Sequence, residues 1–189
     1  MASVPLPLLT EERYLEIERL AETKSEFYGG RMFAMAGASP NHALLSNNIG
    51  SLLHRQVPPA CRTFNADLRI KVVPAGLYTY ADCSVVCGPL QLTTDRRDVV
   101  LNPLLIVEVL SPSTEAYDRG AKFEIYRRLE SFREYLLVHQ DRQHVEHYSK
   151  QDDGEWLLRE SKGEAGVISI AHLGVTISLT ELYASVFGD

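Results

Sequence analysis

The run Leu104-Leu105-Ile106-Val107-Glu108-Val109-Leu110 constrains this chain more than any other stretch. Six of its seven residues are apolar and one is a carboxylate. A short, continuous, Val/Ile/Leu-rich run suits a strand covered on both faces, so it predicts the middle of a sheet with a layer on either side. A carboxylate in such a strand loses its water, at a cost of several kcal/mol, unless a cation, a metal or a proton compensates it. Glu108 is therefore the first candidate for a site.

The flanking segments add two more inward charges. In Tyr80-Ala81-Asp82-Cys83-Ser84-Val85-Val86-Cys87, read as one strand, alternation places Asp82, Ser84 and Val86 on one face. After Leu110, Ser111-Pro112-Ser113-Thr114 ends the strand, and Thr114 can cap a helix starting at Glu115. At roughly 100° per residue, Ile125, Tyr126 and Leu129 share a stripe, and Lys122 falls in its middle. Two carboxylates close together hold a hard divalent cation through oxygen ligands, and such an ion activates water and stabilises phosphoryl charge. A lysine beside them orients the water or offsets charge on the phosphate. The competing reading is a buried Glu108–Lys122 salt bridge with Asp82 capping a turn, since ion-pair networks resemble sites.

With 189 residues, 45% hydrophobic and 23% charged, residues 1–189 read as one globular domain. No run is long enough to span a bilayer, which predicts no membrane partner. The three cysteines, Cys61, Cys83 and Cys87, lack zinc-knuckle spacing and read as buried thiols in a reducing cytoplasm. A net charge of −6 argues against extensive nonspecific phosphate contact, although Arg62, Arg69, Lys71, Arg96 and Arg97 offer a local basic rim.

Elsewhere, Thr10 caps a helix over residues 11–23, and Gly29-Gly30 joins two short strands in a hairpin, with Glu26 on the first. Read from the residues alone, Glu26 is exposed or pairs with Lys24. Ser39-Pro40 starts a helix that Pro58-Pro59 stops, with His42 in its first turn. Residues 61–73 alternate as one strand, with Phe64, Leu68, Ile70 and Val72 on one face and Asn65, Asp67, Arg69 and Lys71 on the other. His139, His144 and His147 invite a metal reading, but their spacing sets no common face, so they read as structural.

The run NPLLIVEVLSPSTEAYDRGAKFEIYRR, with YADCSVVCG upstream, resembles the Uma-two family of restriction-endonuclease-like proteins, within the PD-(D/E)XK nuclease superfamily. The resemblance covers about Lys24 to Tyr148. It implies an α/β fold: a restriction-endonuclease-like central mixed β-sheet flanked by helices. It implies an endonuclease that hydrolyses DNA phosphodiesters by a metal-activated water, with Mg2+ or Mn2+ as cofactor. Asp82 and Glu108 match the metal-binding acids, and Glu26 joins the cluster or its outer shell. The family's usual proline before the aspartate is Ala81 here, and the superfamily lysine position is Leu110, with Lys122 standing in for it. His42 and Asp67 match secondary positions; His42 would hydrogen-bond a phosphate or a carboxylate. A homodimer is a common arrangement in the superfamily. The alternatives are a non-catalytic nucleic-acid or protein interaction module on the same fold, or the same chemistry on RNA or small phosphate esters.

Overall fold

The structure, a computed structural model, describes residues 8–93 and 97–187. In chain order it opens with α1 (Glu11–Glu18), β1 (Ser25–Tyr28), β2 (Arg31–Ala34), α2 (Pro40–Gln56), β3 (Cys61–Asn65), β4 (Arg69–Val72), β5 (Leu77–Tyr80) and β6 (Cys83–Cys87). Then come β7 (Val99–Val100), β8 (Leu105–Leu110), α3 (Glu115–Tyr117), a π-turn (Asp118–Lys122) and α4 (Phe123–Tyr126). The chain continues with β9 (Glu134–His139), β10 (His144–Lys150), β11 (Trp156–Lys162), β12 (Val167–Ile170), β13 (Val175–Ser178) and α5 (Leu179–Leu182).

The central sheet is six-stranded, in the order β11-β10-β9-β8-β6-β3. It is mixed: β8 and β9 run parallel, joined across α3 and α4, while β8 is antiparallel to β6. A five-stranded sheet, β2-β1-β5-β4-β7, lies beside it, and β12 pairs with β13.

Every residue of β8 is buried, Glu108 included, in keeping with its otherwise apolar run. Leu105, Val107 and Val109 pack with Leu45, Ile49 and Leu53 of α2 and with the C-terminal β12–β13–α5 unit. Ile106 and Leu110 face the other way, onto Ile70, Val72 and Leu77 of the five-stranded sheet and Ile125 and Tyr126 of α4. Glu108 shares that second face by the alternation of the strand. An aromatic group fixes α4 against β9–β11: Phe123 stacks on Tyr135 at 5.0 Å, and Phe132 lies 5.1 Å from Trp156.

Local chemistry sets several boundaries. Thr10 accepts a hydrogen bond from the Arg13 N–H, and Ser39 accepts one from His42, so both caps stand where the sequence puts them. The first helix stops at Glu18, short of residue 23, because the Glu18 carboxylate turns inward to accept from the Ser25 N–H and the Tyr80 hydroxyl. The Gly29-Gly30 turn has both residues at positive φ, which glycine adopts without a Cβ penalty.

Three expectations are corrected. Residues 61–73 do not form one strand: Asn65 Oδ1 accepts from the Asp67 N–H, and the turn sends β3 to the six-stranded sheet and β4 to the five-stranded one. The Tyr80–Cys87 stretch divides in the same way, with Asp82 in the break between β5 and β6. The three cysteines are not all thiols. Cys61 and Cys87 face each other across β3 and β6 and are joined as a disulfide, leaving Cys83 as the buried thiol. Cysteine usage therefore gives no argument for a reducing compartment. No helix among the described residues is long and apolar enough to cross a membrane.

A buried carboxylate ties the C-terminal unit to the sheet. Glu134, at the start of β9, has a fully buried side chain and binds His147 Nε2 at 2.6 Å and His172 Nδ1 at 2.7 Å. Burial works to raise its pKa, but the two imidazoles overcome that and lower it. Removing the carboxylate strands the His147 imidazole in a dry setting and frees the part-exposed His172. Glu134→Ala is expected to lower unfolding free energy by about 2–4 kcal/mol in urea denaturation at neutral pH. A loss below about 0.5 kcal/mol, the range of an ordinary surface change, would contradict this role.

Candidate active site at the seam of the two sheets

The two strand breaks create a seam where the sheets part, and charged side chains collect there. Cys83 pairs with Val107 in the β6–β8 register, so continuing the ladder by one residue sets Asp82 opposite Glu108. Asp82 Oδ2 accepts from the Val109 N–H at 2.7 Å, and Oδ1 meets His42 Nε2 at 2.8 Å. Both oxygens are thus oriented, while the side chain keeps 18% of its exposure. The seam is open to water at this edge.

Glu108 lies deeper, with a side chain 6% exposed. Its Oε1 sits 2.9 Å from Lys122 Nζ and accepts from the Tyr126 hydroxyl at 2.8 Å. Lys122 also lies 3.0 Å from Glu26 Oε1 and 3.5 Å from Asp118 Oδ1. Glu26 in turn accepts from the Thr79 hydroxyl at 2.5 Å. One ammonium thus serves three buried or nearly buried carboxylates, from β1, β8 and the π-turn.

The π-turn explains how Asp118 and Lys122 both reach this place. π-turns are rare, occur mostly as single insertions in α-helices, and gather at functional sites. Here the wide turn spans Asp118–Lys122, and both of its ends are buried.

The electrostatics follow from the imbalance of charge. Burial pushes the Glu108 carboxyl up to about 8, against the pull of Lys122 and with help from Asp118 and Asp82. Burial likewise raises Asp118. Burial alone would strip Lys122 of its proton, but Glu108, Tyr126, Glu26 and Asp118 hold its pKa well above the usual lysine value. Lys122 is therefore an ammonium, and the carboxylates carry the surplus negative charge. Burial also opposes protonation of His42, yet the hydrogen bond and charge of Asp82, with Asp118 behind, raise it overall.

Of the residues singled out by sequence, Asp82, Glu108, Lys122, Glu26 and His42 come together. Asp67 does not: it is exposed, pairs with Lys24 at 2.5 Å and closes the turn after β3. Glu26 is not the partner of Lys24. The basic rim is largely spent, since Arg69 binds Tyr80 and Asp98, and Lys71 binds Glu11. Arg96 lies outside the described residues. Asp118, Tyr126 and Thr79 belong to the cluster and were not singled out. The spacing of Asp118 and Lys122, four residues apart on a helix, was the available signal.

A second cluster lies at the β9–β10 turn. His139, His144 and Glu146 bring one ligand atom each within 4.8 Å of one another, a donor set that could coordinate a divalent metal. His147 is not part of it. Arg119 competes for this place, donating to both Glu146 oxygens at 2.6–3.1 Å. The His139 and His144 rings are stacked at 4.3 Å and 6° apart, so their in-plane lone pairs do not converge on one point until a ring turns.

Comparison with known proteins places this geometry. The model of the family described as "Uma2: Putative restriction endonuclease" matches residues 11–180. The chain belongs to the Uma2 family. Two relatives, both uncharacterized proteins of Synechocystis sp., are 36% identical over 96% of this chain and 94% of slr1290, and 37% identical over 89% of this chain and 96% of sll1609. A crystal structure titled as a putative nuclease belonging to DUF820, from Anabaena variabilis, superimposes with a TM-score of 0.75, covering 93% of this chain and 98% of that one at 16% identity. The Uma2 chain therefore has the PD-(D/E)XK-like nuclease superfamily fold, a restriction-endonuclease-like architecture.

In this Uma2 protein, Lys122→Met is expected to cost about 3–5 kcal/mol at pH 7, because it leaves buried carboxylates without their cation. The loss should grow further as pH rises from about 7 to 9, through the value of about 8 at which the Glu108 carboxyl ionises and needs the cation. Urea denaturation across that range reads both effects. Equal stability of variant and wild type at pH 7 would contradict the charge balance.

Proposed function

We propose that this protein is a metal-dependent endonuclease that hydrolyses DNA phosphodiester bonds at the seam. The observation that carries the reading is the buried Glu108–Lys122–Glu26 cluster with Asp82 next to Glu108 at the partly open edge, in a chain of the family described as "Putative restriction endonuclease".

The donor set fits a hard divalent ion such as Mg2+ or Mn2+. Asp82 from the break before β6 and Glu108 from β8 offer carboxylate oxygens, and the cluster holds more carboxylates than cations. These two residues would hold the ion, which when bound supplies Lewis-acid charge for activating water and stabilising a phosphoryl group.

The remaining roles follow from the protein groups. Lys122 keeps its proton, so it acts as a fixed positive charge and not as a base. It offsets charge that grows on the phosphate oxygens. Glu26 and Asp118 hold the ammonium in place, and Thr79 steadies Glu26. The Val109 N–H and His42 set the orientation of the Asp82 carboxylate, one oxygen each. A protonated His42 also presents a donor to a phosphate at the mouth of the site. RNA has the same scissile group and falls within the same chemistry.

A second reading is a non-catalytic interaction module. It draws on Leu110 at the superfamily's lysine position and on a Lys122 already enclosed by carboxylates. Plasmid nicking in magnesium or manganese separates the two. Asp82→Ala and Glu108→Ala are each expected to cut the rate at least about a hundredfold, the equivalent of about 2.7 kcal/mol of transition-state stabilisation. Equal rates in wild type and both variants would end the nuclease reading.

A further inference from the structure

Next to Asp82 lies a cavity of about 430 Å³ that the nuclease reading leaves without a role. One wall is a face of α2 bearing Asn47, Gly50, Ser51 and His54. The other is β3, through Thr63 and Phe64, and Asp82 also lines it. We propose that this groove receives one unpaired nucleoside of the substrate strand, base and sugar, beside the scissile phosphate. The inference rests on the nuclease reading and names its substrate class: single-stranded or locally unpaired nucleic acid.

Size comes first. Pockets for small ligands span about 300–1,000 Å³, and this groove sits near the lower end, enough for a single ring-bearing unit and far too narrow for a duplex. Charge comes second. No lysine or arginine lines it among the described residues, and the protein carries a net charge of −6. A channel that follows a phosphate backbone needs cations, so the neutral part of a nucleotide is what this lining suits. The loss of Arg69 and Lys71 to internal acids points the same way.

Hydrogen-bonding capacity comes third. Thr63 Oγ1 is buried, with no hydrogen-bond partner. Asn47, Ser51 and His54 are exposed, and none of the described hydrogen bonds uses their side chains. An amide, two hydroxyls and an imidazole are thus available around one slot. Unpaired bases are recognised in this way, by hydrogen bonds to their edges. Gly50 keeps the slot open: a Cβ there would meet nothing nearer than Cys83 Sγ at 4.0 Å, so the space is clear and not filled by core.

That opening supplies the test. Gly50→Leu fills the groove from a helical position where a side chain is tolerated, and Asn47→Ala/His54→Ala removes two exposed polar groups. Fluorescence anisotropy in calcium, with a labelled single-stranded oligodeoxynucleotide and its duplex as probes, reads affinity. Manganese calorimetry and thermal melting report on the metal site and the fold. The expected result is tighter binding of the single strand than of the duplex. Both variants should weaken single-strand binding by about tenfold or more while keeping manganese binding and the melting transition. Unchanged single-strand affinity in the folded, manganese-binding variants, or a preference for duplex, would overturn the groove assignment alone. Failure of the wild-type protein to bind manganese would instead remove the nuclease reading beneath it.

Discussion

A single buried ammonium holds the centre of this fold together. Lys122 lies within 3.5 Å of carboxylates from the first hairpin, the central strand and its own helix. Removing that cation leaves the acids uncompensated in a medium where each charge costs several kcal/mol to desolvate. The arrangement also ties the five-stranded sheet, through Glu26, to the six-stranded sheet, through Glu108. Packing alone would join the two sheets; the ammonium fixes where their acids end up.

The seam works because two strands end early. Had the segment containing Asp82 continued as one strand, Asp82 would be one more ladder residue with its side chain committed to a sheet face. The break instead leaves its carboxylate at an edge, held by the Val109 N–H and His42 while still reached by water. A second break, at the Asn65–Asp67 turn, separates β3 from β4. An inner, dry set of charges and an outer, wet one thus lie where the chain changes sheet.

Much of this was legible in the residues. A carboxylate inside an otherwise apolar strand announces Glu108, and a lysine on an apolar helical stripe announces Lys122. The both-face burial of β8 follows from its unbroken run, as seen. The sheet change was not legible, because the alternation of Phe64, Leu68, Ile70 and Val72 keeps its period across the Asn65–Asp67 turn. Asp118 was hidden because an acid in a first helical turn usually serves the helix dipole. Tyr126 looked like plain core, which its ring is; only its hydroxyl belongs to the site. The Cys61–Cys87 bond depended on the pairing of β3 with β6, a long-range register that spacing does not encode.

Two donor sets are therefore open to a divalent ion, and they differ in kind. The seam offers oxygen ligands with surplus negative charge, whereas the β9–β10 cluster offers imidazoles already crossed by Arg119. Anomalous diffraction from crystals soaked in manganese distinguishes them directly. The account predicts a manganese peak between the Asp82 and Glu108 carboxylates. A peak only beside His139 and Glu146, or none at the seam in fully soaked crystals, would contradict it.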